Sequence, residues 1–310
     1  MSTNCFCTCF SCRHIIFTLD FPERDVLVFR NTEHKSPLGH VTESTDTACR
    51  PDITAAFEGH WKKGKKGTVH WPFICLTGKT ASVGESRADQ KQHAFSYLHY
   101  LLLARPDLYV AQGLLLSSLR RRQVTFLFGI GGEGIRQFDV KWDDQDLNKL
   151  LYAFIYRLYE PGDFADPSYI KTEFDKETTA KYTIEITYPG GSKECPGFYS
   201  IYAKNPFATR THVLSNPNFK FEDNHLTILK DQFCRVERRF EELTILNEYV
   251  HKPKGVPGVV VAAYGKQIKP PLSEERCKHR LGLRESGSHF MSIPTLSKVL
   301  ETLFDVLEGI

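Results

Sequence analysis

Nowhere do the 310 residues supply the roughly 18 consecutive apolar side chains that a helix needs to cross a bilayer. The longest apolar run, residues 113–116 with its neighbours, is no longer than a strand. A helical membrane span is excluded, and no membrane partner is expected. Charge of one sign is equally lacking: 40 basic residues face 37 acidic ones, a formal charge of +3. Binding of nucleic acid through an overall field needs a large basic excess, so nucleic acid is not an expected partner and any polyanion site must be local. A secretory core is also missing, because residues 14–19 are too short and wrongly flanked. An intracellular setting, cytoplasmic or nuclear, is the expectation. The nine cysteines form no even framework. Cys49, Cys75, Cys195, Cys234 and Cys277 are scattered singly, which suits buried thiols better than disulfides. Only Cys5, Cys7, Cys9 and Cys12 cluster. Their spacing could gather thiolates on a soft metal, but no His or Cys pair follows at zinc-finger distance. Residues 1–20 are therefore read as a disordered leader or the product of a doubtful start site.

What is present is 41% hydrophobic sequence, enough for two cores at the usual domain size of roughly 100–200 residues. Residues 25–30 suggest a strand. Residues 51–61 carry Ile53, Ala56, Phe57 and Trp61 at helix-like spacing, with Asp52 as the helix cap. Lys62, Lys63, Lys65 and Lys66 lie between glycines in an expected solvated loop. A buried strand over 69–76 leads to an amphipathic helix over 89–105 that ends at Pro106. Residues 108–119 and 123–130 read as a hairpin, followed by a glycine-rich turn over 129–134 that lacks the lysine of a phosphate loop. Asp143 and Asp144 are placed to cap a helix running to about Tyr159. The apolar periodicity predicts burial of Phe95, Leu98, Leu101, Leu102, Leu147, Leu151 and Phe154. Beyond the turn at Asp166-Pro167 the pattern becomes short β-like runs at 182–188, 198–203, 212–214 and 226–229, with helical periodicity only over 235–250 and 296–307. The fold class is α+β: a sheet-and-helix front domain over about 20–165 and a mostly β second domain over about 180–310.

The chemistry concentrates in the second domain. A strand ending in lysine, followed by a helix bearing a carboxylate, is how kinases hold an ATP phosphate, the glutamate fixing the ammonium against the α/β-phosphates. Leu226-Thr227-Ile228-Leu229-Lys230, followed by Glu241-Glu242-Leu243-Thr244-Ile245-Leu246, fits that order, and Gly255-Val256-Pro257-Gly258 then turns into another apolar run. With Arg50-Pro51-Asp52-Ile53, the helix before Pro106-Asp107, the Asp166-Pro167 turn, Leu229-Lys230-Asp231 and the stretch 300–309, the chain resembles the fungal-type protein kinase family across most of residues 50–310. The resemblance implies a kinase-like N-lobe over 180–310, with ATP and magnesium as cofactors. It gives Lys230 the phosphate-binding role, Glu242 or Glu241 the helix-glutamate role, and Thr211 a place at the end of the phosphate-covering loop. That loop departs from the pattern. Ala208-Thr209-Arg210 stands where small residues are expected, which compromises the close backbone approach glycine permits.

Phosphoryl transfer of this kind also needs a catalytic-loop Asp, an Asn for magnesium and an Asp-Phe-Gly motif. After Asp231 the only aspartate is Asp305, and after Asn247 there is no asparagine; behind His279-Arg280 stands Leu281. No catalytic residue is assigned, and the expected function is a kinase-like module, inactive as written. The alternative is a fragment of an active Ser/Thr-type kinase whose C-lobe would be its missing partner. A second alternative lies in the front domain, where Asp52 and Thr77-Gly78-Lys79 approximate the acid…(acid)-x-Lys layout of a restriction-endonuclease-like fold. There the second carboxylate is replaced by Thr77, and Glu85 is expected on the far side of a loop. No metal ligand is assigned.

Overall fold

The computed structural model describes residues 14–17, 26–34, 36–38, 49–61, 68–82, 84–117, 122–174, 180–188, 191–221, 224–237, 242–250, 261–271 and 275–284. The cysteine cluster at 5–12, the lysine loop at 62–67, Glu241, the 255–258 turn and the stretch 296–309 lie outside these residues. The protein is mixed α+β, dominated by two seven-stranded sheets. It divides into one unit of Met1–Ile130 with Gly134–Gly162, and another of Gly131–Glu133 with Asp163–Ile310.

The first sheet runs in chain order through β1 (His14–Phe17), β2 (Leu27–Asn31), β3 (Ile53–Phe57), β4 (Leu76–Thr80), β5 (Val110–Leu116), β6 (Gln123–Ile130) and β7 (Gly134–Lys141). All neighbours are antiparallel except β4 and β5. A parallel pair needs a crossover. Helix α1 (Arg87–Ala104) provides it, with Ser86 Oγ accepting from Asp89 N–H as its N-cap. Strand alternation decides which face each helix covers. Gly113 pairs with Thr77, and a Cβ there would lie 3.0 Å from Leu98 of α1, so α1 packs on the face that carries Thr77 and Lys79. Helix α2 (Leu147–Tyr159) takes the other face. Its Leu147, Phe154, Ile155 and Leu158 join Leu27, Phe29, Ala55, Leu76, Leu114, Val124 and Phe126 in one core.

Three readings of this region are corrected. Residues 51–61 form β3 and a 3-10 turn, Glu58–His60, rather than a helix. Ala55 and Ala56 are both buried, so both faces of the strand are covered and the apolar residues do not alternate. The strand expected at 69–76 is instead a bridge at Leu38–His70, a 3-10 turn at Trp71–Phe73 and then β4, shifted toward Lys79. Neither Asp143 nor Asp144 caps α2. Its N-cap is Asp146, whose side chain makes no cap bond.

The second sheet has the order β15-β16-β14-β11-β10-β9-β8. Its strands are β8 (Tyr169–Phe174), β9 (Ala180–Tyr188), β10 (Gly191–Lys204), β11 (Thr211–Ser215), β14 (Ile228–Arg235), β15 (Ala262–Ile268) and β16 (Arg276–Leu283). A small hairpin, β12 (Lys220–Phe221) and β13 (Asn224–His225), intervenes. Among the described residues of 235–250, helical structure covers α3 (Glu242–Thr244) and the π-helical segment Ile245–Val250, whereas Arg235 belongs to β14. β14 consumes the residues up to Arg235, because Leu229, Asp231 and Phe233 are all required on one inner face.

Leu98 is fully buried on α1, whereas Phe95, like Leu151 on α2, is only half-buried. Leu98→Ala should lower the unfolding free energy by about 2–5 kcal/mol, and Phe95→Ala by clearly less, read as the difference in urea midpoints.

Candidate functional site

Side chains alternate across β14, so Lys230 and its neighbour Asp231 point to opposite faces. Lys230 pairs in register with Val213 of β11 and Leu281 of β16. From that face its Nζ donates to Glu242 Oε2 at 2.6 Å, with the two side chains 24% and 39% exposed. Two residues chosen from the sequence as a strand lysine and a helix glutamate are therefore in direct contact. Glu241 lies outside the described residues. Thr211 shares the face of Lys230, two places before Val213, but its hydroxyl donates to the Thr209 carbonyl at 2.9 Å. Half-exposed charges joined by a short ion pair gain little stability by it. The pair holds an ammonium in place and leaves it reachable.

The loop from β10 to β11 brings no flexible glycine to this ammonium. Arg210 is completely buried: its Nε donates to His212 Nε2 at 3.2 Å and its guanidinium lies 5.3 Å from the centre of the Phe233 ring. The loop's exit is thus pinned by its side chain to the face opposite Lys230. The residues present fit a phosphate anchor but not a backbone cradle around it.

On that opposite face sits a charge cluster that the sequence did not reveal. Asp231 accepts from Arg280 Nε and Nη2, both at 2.7 Å, and pairs with Lys278 Nζ at 2.8 Å. Lys278 also bonds Asp166, and Arg280 reaches Asp166 at 3.2 Å and the Ser168 hydroxyl at 2.6 Å. Tyr169 donates to Asp231 Oδ2 at 3.0 Å. The four charged side chains are only 1–2% exposed. Burial works to raise the Asp231 carboxyl, yet the Arg280 guanidinium and then Lys278 outweigh it and hold the group well below the carboxylate range. Asp166 is lowered in the same way, against its own burial, by Lys278 and Arg280. Burial, and then the Asp231 charge, push the Tyr169 phenol up. This is a closed structural network with equal numbers of each charge.

In the first unit Asp52 is not a helix cap. It is 7% exposed at the start of β3, where one oxygen accepts from Thr80 N–H at 2.8 Å, Thr80 Oγ1 at 2.7 Å and Lys79 Nζ at 3.3 Å. Glu85 is not across a loop either. Its Oε2 faces Lys79 Nζ at 3.2 Å while Oε1 meets His93 Nδ1 at 2.8 Å. Chain reversal between β4 and α1 folds Glu85 back over the strand, and nothing in local spacing announces it. The Thr77 hydroxyl is buried without a hydrogen-bond partner. Among the described residues no three His, Cys, Asp or Glu side chains are grouped to hold a metal ion. No protein-family model, curated protein or solved structure matches the chain.

The charge network gives a pH dependence of definite sign. A carboxyl whose folded value is depressed stabilises the fold fully above its unfolded value, near 3.9, and loses that contribution as pH falls through the folded value. The second unit should therefore hold its stability down to about pH 4 and weaken only in stronger acid. Asp231→Asn should cost roughly 3–5 kcal/mol, because two buried cations lose a shared partner. Urea unfolding at pH 7 and at pH 4 measures both.

Proposed function

We propose that residues 180–310 carry a kinase-like nucleotide-pocket module, in which Lys230 is the phosphate anchor and Glu242 its positioning partner. The observation that carries this reading is the 2.6 Å contact between a central-strand lysine and the first residue of the helical segment that follows it. Support also comes from the strand sequence. β10, β11 and β14 form a meander, the helix comes next, and β15 then lies outside β16, giving the antiparallel order β10-β11-β14-β16-β15. That arrangement is similar to a kinase N-lobe, and it agrees with the family resemblance read from the sequence. ATP with magnesium is the proposed ligand. The 310 residues provide the anchor and no Asp-Phe-Gly or catalytic-loop aspartate, so phosphoryl transfer is not proposed for them. Lys230 neutralises phosphate with one partly solvated ammonium, and such a charge is screened by water.

A second reading concerns the front unit, where two carboxylates, Asp52 and Glu85, both lie within 3.3 Å of Lys79. This is closer to the acid, acid and lysine set of a nuclease-type magnesium site than the sequence suggested. The Lys79 ammonium already occupies the space between the carboxylates, however, and Asp52 Oδ2 already accepts three donors. A magnesium ion would have to displace them.

ATP with magnesium should raise the thermal midpoint saturably but weakly, with a dissociation constant on the order of 1 mM, equivalent to about 4 kcal/mol. Lys230→Ala should abolish the shift and Glu242→Gln should reduce it. An equal shift in Lys230→Ala would remove the proposed anchor. For the front unit, no magnesium-dependent plasmid cleavage is expected; cleavage that disappears in Asp52→Ala would promote the second reading above the first for that unit.

A further inference from the structure

Cys234 and Cys277 are far apart in sequence but face each other directly in the antiparallel register of β14 and β16. Two places along the same register, Val236 N–H bonds the Glu275 carbonyl at 2.9 Å. Hydrogen-bonded and non-hydrogen-bonded pairs alternate along an antiparallel ladder, so the two cysteines form a hydrogen-bonded pair, with Cα atoms about 5.5 Å apart. That separation falls within the range of about 4.4–6.8 Å that disulfides span. Directly opposed residues send their side chains to the same face. Both thiols are reduced and buried, at 3% and 2% exposure. Cys277 Sγ lies 3.7 Å from the Cys234 carbonyl oxygen and 3.0 Å from Nε2 of His279, which is two places along the same strand face and half-buried.

Cys195 and Cys75, whose thiols contact only backbone carbonyls among the described residues, lack this combination. Cys195 has Lys193 O as its contact and Cys75 has Phe73 O, and burial pushes their thiols up to about 12 and about 11. Neither has an imidazole within hydrogen-bond distance among the described residues. A thiolate, not a thiol, attacks an oxidant, and the imidazole 3.0 Å away gives the Cys277 thiol a proton acceptor that Cys195 and Cys75 lack.

We propose that Cys277 and Cys234 form a peroxide-oxidised dithiol, with Cys277 as the attacking thiol, His279 as its proton acceptor and Cys234 as the resolving thiol. His279 Nε2 takes the Cys277 proton, and the thiolate sulfur attacks one oxygen of the peroxide. The O–O bond breaks, Cys277 becomes a sulfenic acid, and the departing hydroxide takes the proton back from His279 to leave as water. The Cys234 sulfur then displaces the sulfenic hydroxyl, which leaves as a second water with the Cys234 proton, and the S–S bond closes. Two thiols lose two electrons and one peroxide gains them. The product ties β14 to β16 at the end of the ladder opposite Ile228 and Leu283. This site does not rest on the nucleotide reading, because the β14–β16 register at Cys234 and Cys277 and the Cys277–His279 contact involve neither Lys230 nor Glu242.

The test is site-resolved mass spectrometry of the full chain after titration with hydrogen peroxide, digested without reduction, so that oxidation at Cys5–Cys12 is counted separately. The expected result is a Cys234–Cys277 cross-link at about one equivalent of peroxide. In Cys234→Ser, a dimedone adduct should appear on Cys277 instead, and in His279→Gln the oxidation of Cys277 should slow at least tenfold while circular dichroism is unchanged. If His279→Gln is unfolded, the cross-link and the dimedone adduct alone decide. Oxidation of Cys277 no faster than that of Cys195 and Cys75, or a Cys277 sulfenic acid that never resolves onto Cys234, would overturn the proposal.

Discussion

Four ionised side chains with almost no access to water, Asp166, Asp231, Lys278 and Arg280, decide how the second unit is assembled. Removing an ion from water costs several kcal/mol even after relaxation, and the cost is recovered only when partners are placed correctly. Here correctness is a matter of register. Asp231 faces Arg280 across β14 and β16, while Asp166 arrives from the segment before β8. Sliding β14 by one residue would turn Asp231 to the other face and leave Lys278 and Arg280 buried with half their counter-charge. Such a network adds little to net stability compared with an apolar core of the same volume, but it penalises every alternative pairing. Leu229 and Leu214 then fill the same interior as Tyr182, Ile184 and Ile186, which makes the fixed register compatible with an apolar core.

Because successive residues of a strand face opposite ways, fixing Asp231 inward also fixes Lys230 outward. The structural part of β14 and its proposed ligand-facing part are thus consecutive residues on different faces. Lys230 does not have to hold the sheet together, and its partner Glu242 sits on a short helical segment rather than in the core. Arg210 follows the same logic from the neighbouring strand. Its guanidinium is spent on His212 and Phe233, which anchors the β10–β11 connection and removes the mobility that a phosphate-covering loop uses. The proposed function, a nucleotide pocket with an anchor but no flexible cover, follows from this arrangement of faces.

Much of the framework was legible in the sequence because it depends on local signals. The helix before Pro106, the hairpin over 108–130 and the β-rich second half follow from periodicity and turn residues, and the proximity of Lys230 and Glu242 follows from a strand succeeded by a helix. Features that depend on long-range pairing were not legible. Asp166 reads as a turn residue until Lys278, 112 places later, is folded onto it. Cys234 and Cys277 read as scattered thiols until the register opposes them. Asp52 precedes apolar residues at helical spacing, and only the burial of both faces of β3 makes that stretch a strand. Glu85 lies six residues beyond Lys79, too near for its return across the strand end to leave a periodic trace.

The central claim is that the two faces of β14 carry separate tasks, and equilibrium unfolding in urea of Lys230→Met beside Asp231→Asn tests it most directly. The account predicts that Lys230→Met unfolds within about 0.5 kcal/mol of the parent protein, as for a solvated ion pair, whereas Asp231→Asn loses roughly 3–5 kcal/mol. Equal losses in the two variants, or a larger loss in Lys230→Met, would contradict it.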